Sequence, residues 1–471
     1  MTLDQDRLQD RLGELAAKHQ VVGATVAILR ADDVLEAAYG LCNVETGVEV
    51  TTDSVFQIGS ISKVWTATLL MQLVEEGVLA LDEPVVSYLP TFRVADPEVT
   101  KTVTLRQLLC HSSGIDGDHF HDTGRGDDCL ELYVASCAHL AQKYPLGATM
   151  SYCNAGYSVL GRVLEVVTGK TWDDVLRERL ITPLGLTHTC TLPEEALRFR
   201  TAHGHLREPG EEQHLAPAWG LMRSVGPAGL ICSTARELLG FARLHLSGGR
   251  APDGTSLLSE ASVAAMQHTE VAVADRWTFG DGWGLGWITY GWGHGVVGHD
   301  GATLGQQAYL RMVPAAGVAF ALLTNGGGAG DLADALVREL LPELAGVEVP
   351  AGITPASSPP DVDASSYAGT YASASVRMEV TPSEDGLHMV ITNTTELAEA
   401  LEKDTDELEL LAVADGVFAT RRPEQATWTP VVFFGLPDGT RLVHFGARAT
   451  RKLASVAPGA ASTQGSRTAV P

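Results

Sequence analysis

The chain is organised around the sequence FQIGSISK at residues 56–63. Ser60 and Lys63 stand three positions apart, so on a helix their side chains meet on one face. Apolar residues recur at helical spacing across residues 64–74, and Gly77 is placed to end the helix. A cation beside a hydroxyl can activate it as a nucleophile. The partial positive charge of the helix N-terminus would also stabilise an oxyanion formed there. The structural alternative is an N-cap Ser60 followed by a solvated Lys63.

Composition limits the class of protein. With 471 residues the chain can bury a full core, and its length favours two domains. The net charge of -25 argues against nucleic acid or an anionic membrane surface as a partner. The odd count of seven cysteines, with no Cys-x-x-Cys pair, favours reduced thiols and argues against structural zinc. Residues 1–20 predict an amphipathic helix without the features of a signal peptide, and no apolar run predicts a membrane span. We therefore expect a cytoplasmic protein with no metal and no cofactor.

The first 345 residues predict a domain of mixed helices and strands. A last helix is expected over residues 331–344, and the middle of this region is mostly helix and loop. Strands are expected at both ends of the region, at residues 21–29, 34–39, 296–299, 306–313 and 318–324.

The loop at residues 116–128 is rich in His and Asp. A metal site is one interpretation, and an acidic, solvated loop near a cleft is the other. No spacing of metal ligands is recognisable in the loop, which favours the solvated interpretation.

The remaining residues predict a second, all-β domain. Residues 346–362 are rich in proline and predict a linker. Short alternating strands separated by turns then predict a small barrel or sandwich over residues 363–455. Residues 456–471 have little to bury and predict a disordered tail. Strands are expected at residues 376–380, 387–391, 407–412, 430–434 and 441–445.

Further motifs give Ser60 and Lys63 their context. LLCHSSG stands at residues 108–114, Tyr-Cys-Asn at 152–154 and His-Asp-Gly at 299–301. In this order the chain resembles the penicillin-recognising serine hydrolases over about residues 10–345. The resemblance is strongest to the Tyr-x-Asn branch: class C β-lactamases, D-amino-acid peptidases, esterases and penicillin-binding-protein-type thioesterases. It implies an α/β (α+β) fold, with an antiparallel sheet flanked by helices and a helical subdomain. The second domain resembles the lipocalin-like barrel appended to several of these enzymes.

The resemblance also implies roles for individual residues. Ser60 would attack a carbonyl and form an acyl-enzyme. The Lys63 ammonium would lower the pKa of Tyr152 from about 10, so that Tyr152, or the pair sharing one proton, serves as base and later as acid. Asn154 would orient Lys63 or the substrate amide. The backbone N–H groups of Ser60 and Ala302 would form the oxyanion hole.

His299 and Arg448 bear on which substrate the chain would take. Many β-lactam-binding members have Lys-Thr-Gly where this chain has His299-Asp300-Gly301, and a histidine is largely neutral at pH 7. His299 therefore argues against β-lactamase activity, although a strand-end histidine without a role is the structural alternative. Arg448 follows the last predicted strand. Arg448 is either a solvated surface residue, or its planar guanidinium enters the cleft and binds a carboxylate of the substrate.

The predicted function is acyl transfer from an ester, thioester or amide through Ser60. The favoured hypothesis is a stand-alone penicillin-binding-protein-type thioesterase that releases or macrocyclises a nonribosomal peptide delivered by a carrier protein. A β-lactamase-like esterase or a D-amino-acid-specific peptidase is the alternative. A hypothesis of another class is an inactive relative that binds peptides or scaffolds a partner. The expected partner is a small-molecule or peptidyl acyl substrate, not nucleic acid or a membrane.

Overall fold

The computed structural model describes residues 3–207, 211–358, 360, 362–394, 405–423 and 425–454. The tail predicted at residues 456–471 lies outside these ranges. The described helices are α1 Gln5–Lys18, α2 Ser62–Glu75, α3 Val85–Tyr88, α4 Pro97–Thr102, α5 Leu105–Leu109, α6 Cys129–Ser136, α7 Asn154–Thr168, α8 Trp172–Leu176, α9 Pro193–Ala196, α10 Gly226–Gly229, α11 Ala235–Leu246, α12 Glu260–Gln267 and α13 Ala329–Ala345.

The described strands fall into a first group before α13 and a second group after it. The first group is β1 Gly23–Arg30, β2 Asp33–Asn43, β3 Val48–Glu49, β4 Phe56–Gln57, β5 His205–Leu206, β6 His214–Leu215, β7 Cys232–Ser233, β8 Val271–Ala272, β9 Gly282–Trp283, β10 Ile288–Thr289, β11 Val297–Ala302, β12 Gln307–Val313 and β13 Val318–Thr324. The second group is β14 Gly369–Ala372, β15 Val376–Pro382, β16 Gly386–Asn393, β17 Thr405–Ala414, β18 Val417–Thr420, β19 Thr429–Gly435, β20 Arg441–Phe445 and β21 Arg448–Lys452.

Both ends of the first domain build one antiparallel sheet, in the order β3-β2-β1-β13-β12-β11-β10-β9-β8. Strands β1 and β13 lie side by side, with Ala24 opposite Thr324. Successive side chains of a strand point to opposite faces, and here both faces are covered. Val26 packs with α1 and α13 on one face, while Ala27 packs with α2 and α11 on the other. This explains why these strands are almost continuously apolar.

The second domain is a closed barrel of eight antiparallel strands, β14 to β21, with β14 also pairing with β21. Its core contains Tyr371, Met378, Leu387, Phe418 and Val443. The sequence predicted five of these strands and missed β14, β18 and β21. Strands β14 and β18 have four residues each, too few for an alternating pattern to be distinct, and three of the five residues of β21 are Arg or Lys. The predicted fold class, a β-lactamase-like domain followed by an all-β barrel, is confirmed.

The structure corrects the N-cap interpretation of Ser60. Gly59–Ile61 form a 3-10 turn, and α2 begins only at Ser62. Ser60 therefore precedes the helix and does not cap it. The alternative of a solvated Lys63 is also wrong, because that side chain has 0% exposure.

Three further observations concern the whole chain. No helix within the described ranges is both long enough and apolar enough to cross a membrane. All seven cysteines are among the described residues, and each is free and buried. The domain limits, with a catalytic domain at 1–345, a linker at 346–362 and a barrel at 363–455, remain our proposal; α13 ends at Ala345 and β14 begins at Gly369.

Candidate active site

Ser60 and Lys63 are brought together by the turn that enters α2. The half-buried Ser60 hydroxyl accepts a hydrogen bond of 3.1 Å from Lys63 Nζ, which also donates to the carbonyl of Ala228 at 2.7 Å. Gly59 permits this turn because its φ is +50° and a Cβ there would lie 2.6 Å from Ala302 N. No carboxylate among the described residues forms an ion pair with Lys63. The site therefore holds a fully buried amine beside a hydroxyl.

Tyr152 forms the wall over this amine. Lys63 Nζ lies 4.7 Å from the centroid of the Tyr152 ring, and the side chain is 7% exposed. The Tyr152 hydroxyl has no hydrogen bond of ordinary geometry to any described residue, although its closeness to Ser60 favours the phenolate slightly. The phenol is thus positioned near the nucleophile with its hydrogen-bonding capacity unused.

Burial determines which of these groups is charged. Desolvation, followed by the positive charge of Arg448, lowers the pKa of Lys63 well below its ordinary value, and Asp118 offsets only part of this. Desolvation also raises the pKa of Tyr152 above that of a free tyrosine. The expectation that a charged Lys63 depresses the pKa of Tyr152 is therefore wrong. Burial thus disfavours the charged form of both groups, which makes the Lys63 amine the stronger candidate for the base.

The oxyanion candidates lie where strand β11 meets the 3-10 turn. A Cβ on Gly301 would lie 3.0 Å from Ser60 N, and one on Gly59 would lie 2.6 Å from Ala302 N. The two backbones approach this closely because neither glycine has a side chain. The backbone N–H groups of Ser60 and Ala302 thus lie on adjoining segments, and their role as the oxyanion hole stays a prediction.

Asn154 has a different partner from the one expected. As the first residue of α7, it donates from Nδ2 to Asp118 Oδ1 at 2.9 Å. Asp118 also accepts two hydrogen bonds from Arg448, at 2.8 Å from Nε and 2.9 Å from Nη2. Orientation of Lys63 by Asn154 is not seen, because Lys63 Nζ donates to Ser60 and to the Ala228 carbonyl instead. Its possible contact with a substrate amide stays a prediction.

The hairpin between β20 and β21 brings the barrel into contact with the site. Gly446 and Ala447 have φ of +56° and +68°, as a two-residue turn between twisted strands requires. The Ala447 carbonyl accepts a hydrogen bond of 2.9 Å from Tyr152 N, and Ala449 N donates to Ser151 Oγ at 3.1 Å. The Arg448 guanidinium lies 5.2 Å from the centroid of the Tyr152 ring. Arg448 thus reaches the cleft, with a side chain that is 32% exposed and paired with Asp118.

His299 lies on β11 and is 2% exposed. Its Nδ1 pairs with the Asp300 carbonyl at 2.6 Å, and its Nε2 has no partner among the described residues. Burial, together with the positive charge of Lys63, lowers the pKa of His299 to about 3. Asp300 itself forms an ion pair with Arg311. This position therefore offers a neutral imidazole to a ligand.

A family model described as Beta-lactamase matches residues 8–342. The chain belongs to the β-lactamase family. Penicillin-binding protein 4 of Amycolatopsis lactamdurans is 51% identical over 374 residues, covering 79% of this chain and 98% of that protein. The predicted resemblance to β-lactamase-related, penicillin-binding-protein-like hydrolases is thereby confirmed.

Two solved structures of SurE extend the likeness over nearly the whole chain, including the barrel. SurE covers 95% of this chain and 99% of its own, with 31% identity and a TM-score of 0.74. SurE with D-Leu gives the same coverage, 30% identity and a TM-score of 0.72. A D-stereospecific amidohydrolase from Streptomyces sp. is 26% identical, with a TM-score of 0.57, and covers 73% of this chain and 100% of its own.

Sequence reasoning missed two residues of the site in this family member. His111, in the LLCHSSG motif, accepts a hydrogen bond of 3.1 Å from Cys153 N at its Nδ1, and its ring stacks on Tyr152 at 4.2 Å. His111 thereby packs against the Tyr152 ring and helps to hold it in position. Asp118 was interpreted as part of a solvated acidic loop, but its side chain is only 11% exposed and it binds Arg448. The LLCHSSG motif could have identified His111. No local pattern around Asp118 could have identified Arg448, because the two residues lie 330 positions apart.

The neighbouring part of the acidic loop also differs from the expectation. Asp116 is 4% exposed and lies 3.6 Å from Lys143 Nζ, and its other oxygen accepts a hydrogen bond of 2.6 Å from Ala374 N of the barrel. The solvated interpretation is wrong for Asp116 and Asp118, because the barrel covers them. Across the described ranges, no group of three or more His, Cys, Asp or Glu side chains could hold a metal ion.

Proposed function

We propose that this β-lactamase-family protein is a stand-alone peptidyl thioesterase that forms an acyl-enzyme on Ser60 and passes the acyl group to an amine or to water. The observation that most favours this is the barrel hairpin, which holds Arg448 against Tyr152 at the edge of the cleft. An enzyme that only hydrolyses small esters has no need for a second domain at this position. An enzyme that must admit an amine and exclude water does need a domain that covers the cleft in this way.

Acylation would begin with the neutral Lys63 amine. Such an amine has one lone pair and two N–H bonds, so it can donate to Ala228 and accept the Ser60 proton. Ser60 Oγ would then bond to the carbonyl carbon, with the oxyanion facing the N–H groups of Ser60 and Ala302. The resulting ammonium is buried and acidic. Through Tyr152, it would return its proton to the departing thiolate as the carbon–sulfur bond breaks.

Deacylation would reverse these proton movements. The attacking amine bonds to the carbonyl carbon, and its proton passes to the Tyr152–Lys63 pair. As the carbon–oxygen bond to Ser60 breaks, Ser60 Oγ takes a proton back from the same pair. The enzyme is restored, and no proton leaves the buried site. A pair of neutral groups suits this relay because each can both donate and accept.

Arg448 would position the acceptor. A guanidinium has five N–H donors, and three of those of Arg448 are used by Asp118 and by the Gly446 carbonyl, which is 2.8 Å from Nη1. One N–H on each Nη is left for a ligand. Arg448 can therefore bind an oxygen of the substrate, most strongly a carboxylate, without releasing Asp118.

The relatives favour a D-configured amino acid in the substrate. One structure of SurE contains D-Leu, and the amidohydrolase from Streptomyces sp. is described as D-stereospecific. We extend this preference to the residue that carries the thioester. His299, being neutral, offers no fixed cation to the carboxylate of a β-lactam, so β-lactams should be poor substrates.

Delivery of the peptide by a carrier protein and a cytoplasmic location also belong to this proposal. A D-amino-acid-specific peptidase or esterase is the second candidate, favoured by the D-stereospecific amidohydrolase among the solved structures. An inactive peptide-binding relative is the third. The intact set of Ser60, Lys63 and Tyr152 argues against it, since binding alone does not require all three.

The decisive experiment offers the enzyme matched peptidyl thioesters with D or L terminal residues, alongside p-nitrophenyl esters and D-amino-acid amides. We expect cyclic and linear products from the D-terminal thioester, separated by mass spectrometry. Arg448→Ala should lower cyclic product more than it lowers hydrolysis of the small ester, and Arg451→Ala, at an exposed position of β21, is the matched control. If simple esters are consumed and no peptidyl thioester is, the thioesterase proposal fails and the esterase takes its place.

A further inference from the structure

The end of the barrel beside Arg448 contains a cavity lined by described residues of both domains. The cavity has a volume of about 230 Å³ and lies between Asp118 and Phe120 of the first domain and the adjacent end of the barrel. Paired strands β15 and β16 provide one wall, with Met378 opposite Ile391 and Val376 opposite Asn393. The apolar part of the lining consists of Phe120, Val376, Met378, Ile391 and Phe445.

The size of this cavity fits one amino-acid side chain. An apolar cavity of about 150 Å³ is enough to hold a benzene ring. A volume of about 230 Å³ therefore accommodates the side chain of leucine or phenylalanine. A cargo with a long alkyl chain, of the kind that larger barrels carry, would not fit.

The polar edge of the cavity is complementary to the backbone of an amino acid. Asp118 and Arg448 line it together. Arg448 retains two N–H donors for a carbonyl or carboxylate oxygen. The Asp118 carboxylate accepts from Arg448 twice and from Asn154 once, which leaves one of its roughly four acceptor positions for an ammonium or amine. A carbonyl and an amine on one carbon, with an apolar side chain, match these three features.

We infer that this cavity is the subsite for the acceptor residue, taking the apolar side chain of the amino acid whose α-amine attacks the acyl-enzyme. The inference rests on the proposed acyl transfer. Asp118 holds the incoming amine, Arg448 holds the adjacent carbonyl or carboxylate, and the barrel mouth selects the side chain. The new carbon–nitrogen bond forms as the bond to Ser60 breaks, and the amine proton passes through Tyr152 and Lys63 to Ser60 Oγ.

The test measures how the acyl-enzyme partitions between added amines and water. The acyl-enzyme is formed from a p-nitrophenyl ester in the presence of leucinamide, phenylalaninamide or glycinamide of either configuration. The wild-type enzyme should prefer leucinamide over glycinamide by about tenfold or more, as expected when several methylene groups enter an apolar pocket. The ratio of the two aminolysis products is independent of how much enzyme is active.

Substitutions at Val376 can make the cavity either smaller or larger. Val376→Trp fills the cavity and should bring the preference for leucinamide close to one. Val376→Ala enlarges it, with little risk to folding, and should shift the preference toward phenylalaninamide. Thr392→Trp is the matched control, because Thr392 stands opposite the exposed Arg377 on the outer face of the same strand pair and should leave the preference unchanged.

Binding to the Ser60→Ala enzyme, measured by calorimetry, separates this inference from the proposed function. If leucinamide binds better than glycinamide and Val376→Trp removes the difference, the subsite stands even where no thioester is consumed. If peptidyl thioesters are cyclised but neither Val376 variant changes the selectivity, the subsite is refuted and the thioesterase stands. Equal binding of the two amides to the unsubstituted pocket also refutes the subsite.

Discussion

Replacing Lys63 with Met should stabilise the folded protein at neutral pH while removing its turnover. Lys63 is fully buried beside Tyr152, and burial lowers its pKa, whereas in the unfolded chain the pKa is about 10.4. Folding therefore either removes a proton from this side chain or buries its charge. A methionine of similar length has neither cost.

The sign of the pH dependence follows from the proton balance. Well above pH of about 10.4, Lys63 is neutral in both states and its burial carries no charge penalty. As the pH falls, the unfolded chain binds the proton before the folded protein does, and the wild type loses about 1.4 kcal/mol of stability per pH unit. The loss stops growing below the folded pKa of Lys63. The free-energy advantage of Lys63→Met should therefore shrink as the pH rises.

One opposing contribution does not depend on pH. Without Lys63, the Ala228 carbonyl loses its donor at 2.7 Å, and an unsatisfied buried acceptor costs about 1–3 kcal/mol. This shifts the whole curve and leaves its slope unchanged. The slope is therefore the diagnostic quantity.

The assay is urea unfolding of wild type and Lys63→Met, followed by tryptophan fluorescence, at intervals between about pH 7 and pH 10. Lys101→Met is the control, because the Lys101 side chain is 65% exposed in its pair with Glu98. Its effect should stay within about 0.5 kcal/mol throughout. A stability difference for Lys63→Met that is flat, or that grows as the pH rises, would show that Lys63 is charged in the resting enzyme. The assignment of Lys63 as the base would then be wrong.

Three other predictions concern the chemistry and the domain contact. A fluorophosphonate probe should label the peptide containing Ser60 and fail to label Ser60→Ala; labelling that survives would exclude Ser60 as the nucleophile. Tyr152→Phe should lower kcat by roughly 100-fold or more, and adding Lys63→Ala should cost little beyond the worse single change, whereas additive losses would indicate independent roles. Asp118→Asn should destabilise the protein by about 1–3 kcal/mol at neutral pH, because Arg448 keeps its charge but loses its carboxylate, which is only partly screened by solvent. Since the ion pair lowers the pKa of Asp118, this stabilisation is present above the ordinary Asp pKa of about 3.9 and should vanish as the pH falls through the folded pKa. A difference that persists at low pH would contradict it.

Local patterns in the sequence determined much of this protein. The three-residue spacing of Ser60 and Lys63 brings their side chains together in any helical turn, so the contact needed no tertiary information. Apolar runs identified β1 and β13, since a strand covered on both faces has no polar alternation. The barrel strands were recognisable wherever the alternation of apolar and polar residues continued over about five residues or more.

Tertiary structure decided the charges and the long-range partners. Whether Lys63 or Tyr152 carries a proton depends on how much water reaches them, and desolvation results from packing by segments far apart in the chain. The partner of Asp118 is Arg448, 330 positions away, and no local pattern specifies a pair whose geometry depends on the docking of two domains. For the same reason, the hydrogen bond from Tyr152 N to the Ala447 carbonyl, and the cavity at the barrel end beside Arg448, could be found only in the folded molecule.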